Sequence, residues 1–256
     1  ATTLVGCDSD HSSGETPELE APVQVAFMPD IHFHDVYGDF QDGSFQGLYT
    51  NSSGKYATIR TMQSQMESTR LFNENYFAMI AALDDVVERG IKYVALPGDF
   101  SDDGQPVHMR GLVKIFDHYR ETYGLEFFAA PGNHDPGKPF TVAAGKSDYL
   151  GEGGKKQRIF SRGKDECVGY EGEWGTIPGE GDNLDTICTE EVKEWGYKEI
   201  MDILGTHGFY PQEEYFYFET PYSSDEARNH YSYELASEEA AYDKRMFEIC
   251  HQGTGG

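Results

Sequence analysis

What most constrains this chain is a repeated junction: an apolar run that stops at a turn carrying ligand-type side chains. Residues 23–28 run into Pro29-Asp30-Ile31-His32. Residues 91–96 run into Pro97-Gly98-Asp99-Phe100-Ser101-Asp102-Asp103, and residues 125–130 into Pro131-Gly132-Asn133-His134-Asp135. Short apolar runs bounded by Gly and Pro read as buried strands. Between them, residues 59–89 and 107–123 read as helices. The first carries Leu71, Phe72, Phe77, Ile80, Leu83, Val86 and Val87 as a core-facing stripe, and Gly90 and Gly124 close the two helices. Strand, helix, strand, helix, strand implies a parallel sheet with right-handed crossovers, so the three polar turns are expected at one edge of one sheet.

That edge is where open α/β sheets bind ligands. Asp30 and His32 are two residues apart, which in extended backbone puts both on one side. A carboxylate and an imidazole so placed can chelate one metal. Asn133, His134 and Asp135 add an amide oxygen, a second imidazole and another carboxylate after the tight turn at Gly132. Alone, each turn also reads as an ordinary polar turn; the recurrence is what carries weight. His34 and Asp35 are expected on the surface of a long loop over residues 33–58. Arg60, Arg70, Asn73 and Asn75, near the start of the first helix, could meet a phosphate there, although surface pairing is the ordinary fate of an arginine taken singly.

Charge narrows the function classes. The 256 residues hold 20 Lys and Arg against 45 Asp and Glu, a net charge of −25. That balance argues against broad nucleic-acid binding, which needs cations to displace phosphate counterions. An anionic substrate would then depend on local positive charge, for which bound metal ions are the obvious source. The four cysteines (Cys7, Cys167, Cys188 and Cys250) form no CxxC pair, so a thiolate zinc site is not expected. No run of about 18 apolar residues reads as a transmembrane helix.

Leu4-Val5-Gly6-Cys7 resembles a bacterial lipobox, with Cys7 as the lipid attachment point and residues 1–21 as lipobox remnant and flexible tether. The expectation is an exported periplasmic or cell-surface lipoprotein, touching the membrane only through its anchor. Residues 137–190 are dense in glycine and scattered charge and read as an insertion or lid. In an exported protein Cys167 and Cys188 would form a disulfide stapling that loop. Tyr170 and Trp174 there face either a substrate or the domain. Beyond it, residues 190–204 and 238–249 read as helices, and residues 215–218 and 230–235 as strands.

The ordered set Asp30-x-His32, Gly98-Asp99-x-x-Asp102 and Gly132-Asn133-His134-Asp135, each at a strand end, resembles the first three motifs of the calcineurin-like metallophosphoesterases. The resemblance covers residues 22–136. It implies a four-layer α/β/β/α sandwich, of which this chain supplies the first sheet and an inserted lid. Residues 22–136 would be the first half of the core and residues 191–256 its continuation. It implies two metal ions (Fe, Mn or Zn), with Asp30 and His32 on the first, Asp99 bridging both and Asn133 on the second. His134 would stabilise phosphoryl oxygens or protonate the leaving group, Asp102 would orient His134, and Asp135 would support the loop; Arg70 is the substrate contact expected from its place at the start of the helix. The implied reaction is hydrolysis of a small phosphate mono- or diester by a dimetal-bound hydroxide. An exported nucleotidase or nuclease of the same superfamily and a non-catalytic binding lipoprotein on a degenerate scaffold are the alternatives.

Two departures qualify the resemblance. Asp99 follows His32 by 67 positions, so residues 33–58 act as an insertion. The family's later Gly-His and Gly-His-x-His stretches have no counterpart; His207 and His230 are the nearest histidines and read as packing or surface residues. The chain is therefore expected to be the front portion of a longer enzyme, cut before the last metal motifs. Tyr231-Ser232-Tyr233-Glu234 faintly resembles a strand that precedes those motifs in purple-acid-phosphatase-like members.

Overall fold

The apolar runs do pair as a parallel sheet. A computed structural model describes residues 22–245. Cys7 and the tether before residue 22, and the end of the expected helix over residues 238–249, lie outside the described residues. In chain order the elements are β1 (Val25–Phe27), β2 (Leu48–Thr50), β3 (Lys55–Ala57), α1 (Met62–Met66), α2 (Phe72–Glu88), β4 (Tyr93–Pro97), α3 (Pro106–Tyr123), β5 (Glu126–Ala130), β6 (Gly145–Leu150), β7 (Lys156–Phe160), β8 (Trp174–Ile177), β9 (Thr186–Thr189), α4 (Tyr197–Leu204), α5 (Asp225–Asn229) and α6 (Tyr233–Ala240). The central sheet has the order β1-β4-β5, all parallel, with Phe27 opposite Ala95 and Ala95 opposite Phe128.

Among the described residues, only one face of this sheet is covered. Val94, Leu96, Phe127 and Ala129 point to α2 and α3, where Met79, Leu83, Val86, Met109, Leu112 and Phe116 complete the main core. The alternate residues Val25, Phe27, Tyr93 and Phe128 are exposed. Reading the runs as buried throughout therefore overstates their cover: both helices lie on the same side, so period-2 alternation leaves every second residue bare. A two-sheet sandwich would place its second sheet on that bare side.

The expected single helix over residues 59–89 is two helices. Thr61 caps α1, accepting from Ser64 N at 3.3 Å. The chain then breaks, with Arg70 N donating to Ser68 Oγ at 3.0 Å, and restarts as α2. Leu71 and Phe77 fall outside the buried stripe and are exposed, while Phe72, Leu83 and Val86 are buried. The break turns Arg70 toward the sheet edge.

Residues 137–190, read as a Gly-rich insertion or lid, hold a four-stranded sheet of order β6-β7-β9-β8. It packs through Tyr149, Ile159 and Ile187 against Val107 of α3, Phe40 and Val192. Cys167 and Cys188 are joined in a disulfide, buried against Phe160 with Tyr170 and Ile177 beside them. Trp174 is exposed on β8. The strands are short and interleave Lys, Asp, Gln and Arg with their apolar residues, so no apolar run announces them.

The C-terminal expectations need more correction. Helix over residues 190–204 begins only at Tyr197, because Glu194 bridges to Val142 in extended backbone. Residues 215–218 form no strand, and residues 230–235 are not a strand but the start of α6. There Ser232 is the N-cap, its Oγ accepting from Leu235 N at 3.2 Å. The faint likeness of Tyr231-Ser232-Tyr233-Glu234 to a strand is thereby overturned.

A candidate metal centre at the strand ends

The three turns meet because the parallel ladder continues past the strands. His32 N donates to Asp99 O at 2.8 Å, Phe33 N to Phe100 O at 3.1 Å and Asp102 N to Phe33 O at 2.9 Å. The third turn is tied on by Asp135, whose fully buried carboxyl accepts from Phe100 N (2.7 Å), Ser101 N (2.9 Å) and Gly132 N (3.3 Å). Burial pushes that carboxyl up to about 8, against the pull of its N–H donors and with the Asp99 charge adding to the rise. Asp135 thus supports the loop. Close approach explains the glycine before it: a Cβ on Gly132 would lie 2.1 Å from Asp99 Oδ1 and 2.3 Å from Asp99 N.

Ligand-type atoms of Asp30, His32 and Asp99 all lie within 4.8 Å of one another. His32 Nε2 stands 4.0 Å from Asp99 Oδ2. His32 Nδ1 is buried without a hydrogen-bond partner, which leaves a lone pair or proton unsatisfied in the protein alone. Burial, with Arg70 nearby, holds this imidazole below its ordinary range, so it is the neutral form that ligates metals. Two carboxylates and one neutral imidazole fit a divalent cation. Among the described residues, the non-glycines with positive φ are Asp30 (53°), His32 (45°), Asp99 (50°) and Asp103 (64°). Such backbone costs about 1–3 kcal/mol per residue and persists where surrounding structure enforces it. Asn75 supplies part of that enforcement, donating from Nδ2 to Ile31 O at 2.9 Å.

Asn133 is exposed on the same turn. His134 follows it, with its backbone N–H on Asp99 Oδ1 at 2.9 Å and its ring edge-on to His32 at 5.1 Å. Asp102 does not orient this ring. Its backbone is registered against Phe33, which turns its carboxylate inward, fully buried, onto Arg60 (3.1 Å) and Arg70 (2.7 Å). Burial opposes its charge, but Lys146, His34 and Arg60 hold it well below the usual carboxylate range. The carboxylate on His134 is instead Asp103, whose Oδ1 stands 2.7 Å from Nδ1. Arg70 Nη2 lies 2.8 and 3.0 Å from the two ring nitrogens. Together Asp30, His32, Thr69, Arg70, Leu71, Asn75 and His134 line an open cleft of 420 Å³.

Two residues of this arrangement escape the sequence reading. Asp103 is visible only as the second half of an Asp-Asp-Gly triplet. Lys146 comes from β6 and has no sequence signal. Other candidates are used elsewhere: Asn73 brackets the Arg60 backbone, and Arg60 makes a bidentate pair with Asp148 at 2.6 Å. His34 and Asp35, expected on the surface, are buried. The reason is that the loop over residues 33–58 folds back under β6: His34 Nε2 bonds Thr58 O at 2.7 Å and Asp35 N donates to His108 Nδ1 at 3.0 Å. His34, Asp102 and His108 form a second ligand-like group, but Arg60, Arg70 and Lys146 already neutralise its carboxylate, so it reads as a structural network. His207 packs on Phe116 and Phe127 and pairs with Asp117 at 2.9 Å, and His230 is exposed beyond α5; neither joins the site.

A family model described as calcineurin-like phosphoesterase matches residues 23–252. Among curated proteins, none matches the chain.

Proposed function

The chain belongs to the calcineurin-like phosphoesterases, and from that premise we propose that it hydrolyses a small phosphate mono- or diester at the cleft beside Asp30, His32 and Asp99. The observation that carries this reading is the convergence of those three ligands from two strand ends, each held at positive φ. Asp30 and His32 would hold one metal ion, Asp99 would reach both, and Asn133 would offer its amide oxygen to the second. When bound, such ions supply Lewis-acid charge against phosphate oxygens and make water a stronger nucleophile. Arg70 lies in the cleft wall and would swing its guanidinium from His134 to the phosphoryl oxygens, for which its planar fork is suited. His134 would then give its Nε2 proton to the leaving oxygen.

The exported, lipid-anchored setting suggested by Leu4 to Cys7 joins this proposal. The Cys167–Cys188 bond supports it, since such bonds persist in oxidising compartments. A second reading is a metal-binding scaffold without catalysis. It is favoured by the ligand count: among the described residues no further histidine joins the group. One experiment separates the two. The protein reconstituted with Mn, Zn or Fe is assayed for bound metal and for hydrolysis of 4-nitrophenyl phosphate and bis(4-nitrophenyl) phosphate. Metal-dependent turnover that Asp99→Ala reduces to the level of metal-free protein supports the esterase. Metal uptake with no turnover supports the scaffold, and turnover unchanged in Asp99→Ala refutes the assignment.

A further inference from the structure

The inserted sheet reaches the candidate site through one side chain. Lys146 on β6 donates from Nζ to Asp103 Oδ2 and stands 3.8 Å from Asp102 Oδ1. The other oxygen of Asp103 is the one on His134 Nδ1, with Arg70 Nη1 3.4 Å away. Asp103 keeps this position at a φ of 64°, so something must hold it there. Lys146 can do so because it is itself held. Its ladder partner is Ile159 of β7, fully buried against Tyr149 and Val107. The next residue, Phe160, pairs with Cys188 of β9, half of the disulfide. A continuous line of contacts therefore runs from the disulfide to the imidazole, buried as far as Ile159 and half-buried at Lys146, Asp103 and His134.

We propose that Asp103 and Lys146 are positioning residues for His134, and that the inserted sheet is a working part of the site and not a cover over it. Asp103 holds the ring by Nδ1, and Nε2, 3.0 Å from Arg70 Nη2, is the nitrogen that serves the cleft once Arg70 turns to substrate. A carboxylate on one ring nitrogen fixes the tautomer and orientation of the other. Lys146 holds Asp103 and opposes its charge. This rests on the reading of His134 as proton donor. In that step the ring, having taken a proton from solvent at Nε2, passes it to the ester oxygen as the phosphorus–oxygen bond breaks, and is left neutral with Nδ1–H still donating to Asp103.

The test uses the full chain, loaded with metal, and two esters that differ in the leaving group. Phenolate leaves poorly and needs the proton; 4-nitrophenolate leaves well and does not. General acid catalysis contributes about 10²–10⁴-fold. Asp103→Asn should therefore lower kcat on the phenyl ester by at least about 100-fold and on the 4-nitrophenyl ester by less than about 10-fold. Lys146→Met should shift the same ratio in the same direction by a smaller factor. A merely structural role would lower both esters alike. The second readout needs no turnover: nitrogen-15 NMR of the imidazoles in metal-free protein. His134 should show one fixed tautomer, protonated at Nδ1, and both variants should blur it into a mixture. Equal losses on the two esters, or a His134 signal unchanged in both variants, overturns the proposal. If the wild type hydrolyses neither ester, the esterase reading fails by itself, and the NMR comparison then upholds or overturns the positioning alone.

Discussion

Gly132→Ala offers the sharpest trial of how the strand ends are packed. The added Cβ would sit 2.1 Å from Asp99 Oδ1, where ordinary contact begins at 3.4 Å. Rotating the Asp99 side chain cannot relieve this, because Asp99 N is only 2.3 Å away. The two turns must separate by more than about 1 Å, a displacement that can cost about 100-fold at a reacting centre. Separation stretches the bond from His134 N to Asp99 Oδ1 and loosens the three N–H groups that Asp135 collects. Overpacking of this kind costs about 1–3 kcal/mol. Metal affinity should fall by about 10–100-fold, as when a ligand's supporting contacts are lost. Calorimetric titration of metal into metal-free protein, with a urea melt on the same sample, measures both. Gly137→Ala is the control: its Cβ meets nothing closer than 3.5 Å, so it should leave both readouts in place. A Gly132→Ala protein with metal affinity within about threefold of wild type, and an unchanged melt, would refute the claim that Gly132 sets the approach of the two turns.

Two further outcomes follow from the buried charges. Arg60→Met removes the partner of Asp148 and one partner of the fully buried Asp102; breaking a buried network in this way costs about 3–5 kcal/mol, or roughly 6–20 °C in Tm for a chain of this size, read by scanning calorimetry. Acid should weaken the fold through its buried imidazoles, a fall that Asp135, raised to about 8 and so binding a proton in the folded state first, offsets in part. Burial holds His108 well below, and His207 below, the ordinary value of 6.5, so the unfolded chain binds more protons. The stability they confer is complete above pH 6.5 and is lost as pH falls toward their folded values, by up to about 1.4 kcal/mol per pH unit for each. Urea melts from neutral to mildly acid pH should show that fall, and His207→Phe, which can still pack on Phe116 and Phe127, should reduce its slope.

The central sheet and its polar edge were legible from residue order because each signal there is local. An apolar run, a Pro or Gly, and a carboxylate or imidazole within a few residues determine a strand, its end and what it presents. A parallel arrangement then follows from the intervening helices, and with it the meeting of Asp30, His32 and Asp99, residues far apart in the chain. The inserted sheet was not legible. Its strands are short, partly charged and paired across a shift in register between Lys146 and Tyr149, so period and composition carry little of it. The split between α1 and α2 falls at Ser68 and Thr69, where the Ser68 hydroxyl takes the Arg70 N–H at 3.0 Å and competes with the helix backbone; the long apolar stripe on either side masked it.

Tertiary structure also chose between residues that look alike. Asp102 and Asp103 are neighbours of the same type, and the family resemblance implies Asp102 as the partner of His134. Folding assigns them oppositely. Backbone pairing with Phe33 turns Asp102 inward to Arg60 and Arg70, while positive φ turns Asp103 out to His134 and Lys146. Likewise His34, two residues beyond His32, is buried on Thr58 and not exposed beside the ligands. Local pattern determines which residue types arrive at the edge of the sheet. Which of them face the cleft depends on long-range partners, Lys146 above all, because the energy of a buried charge is set by what lies across from it and not by its neighbours in the chain.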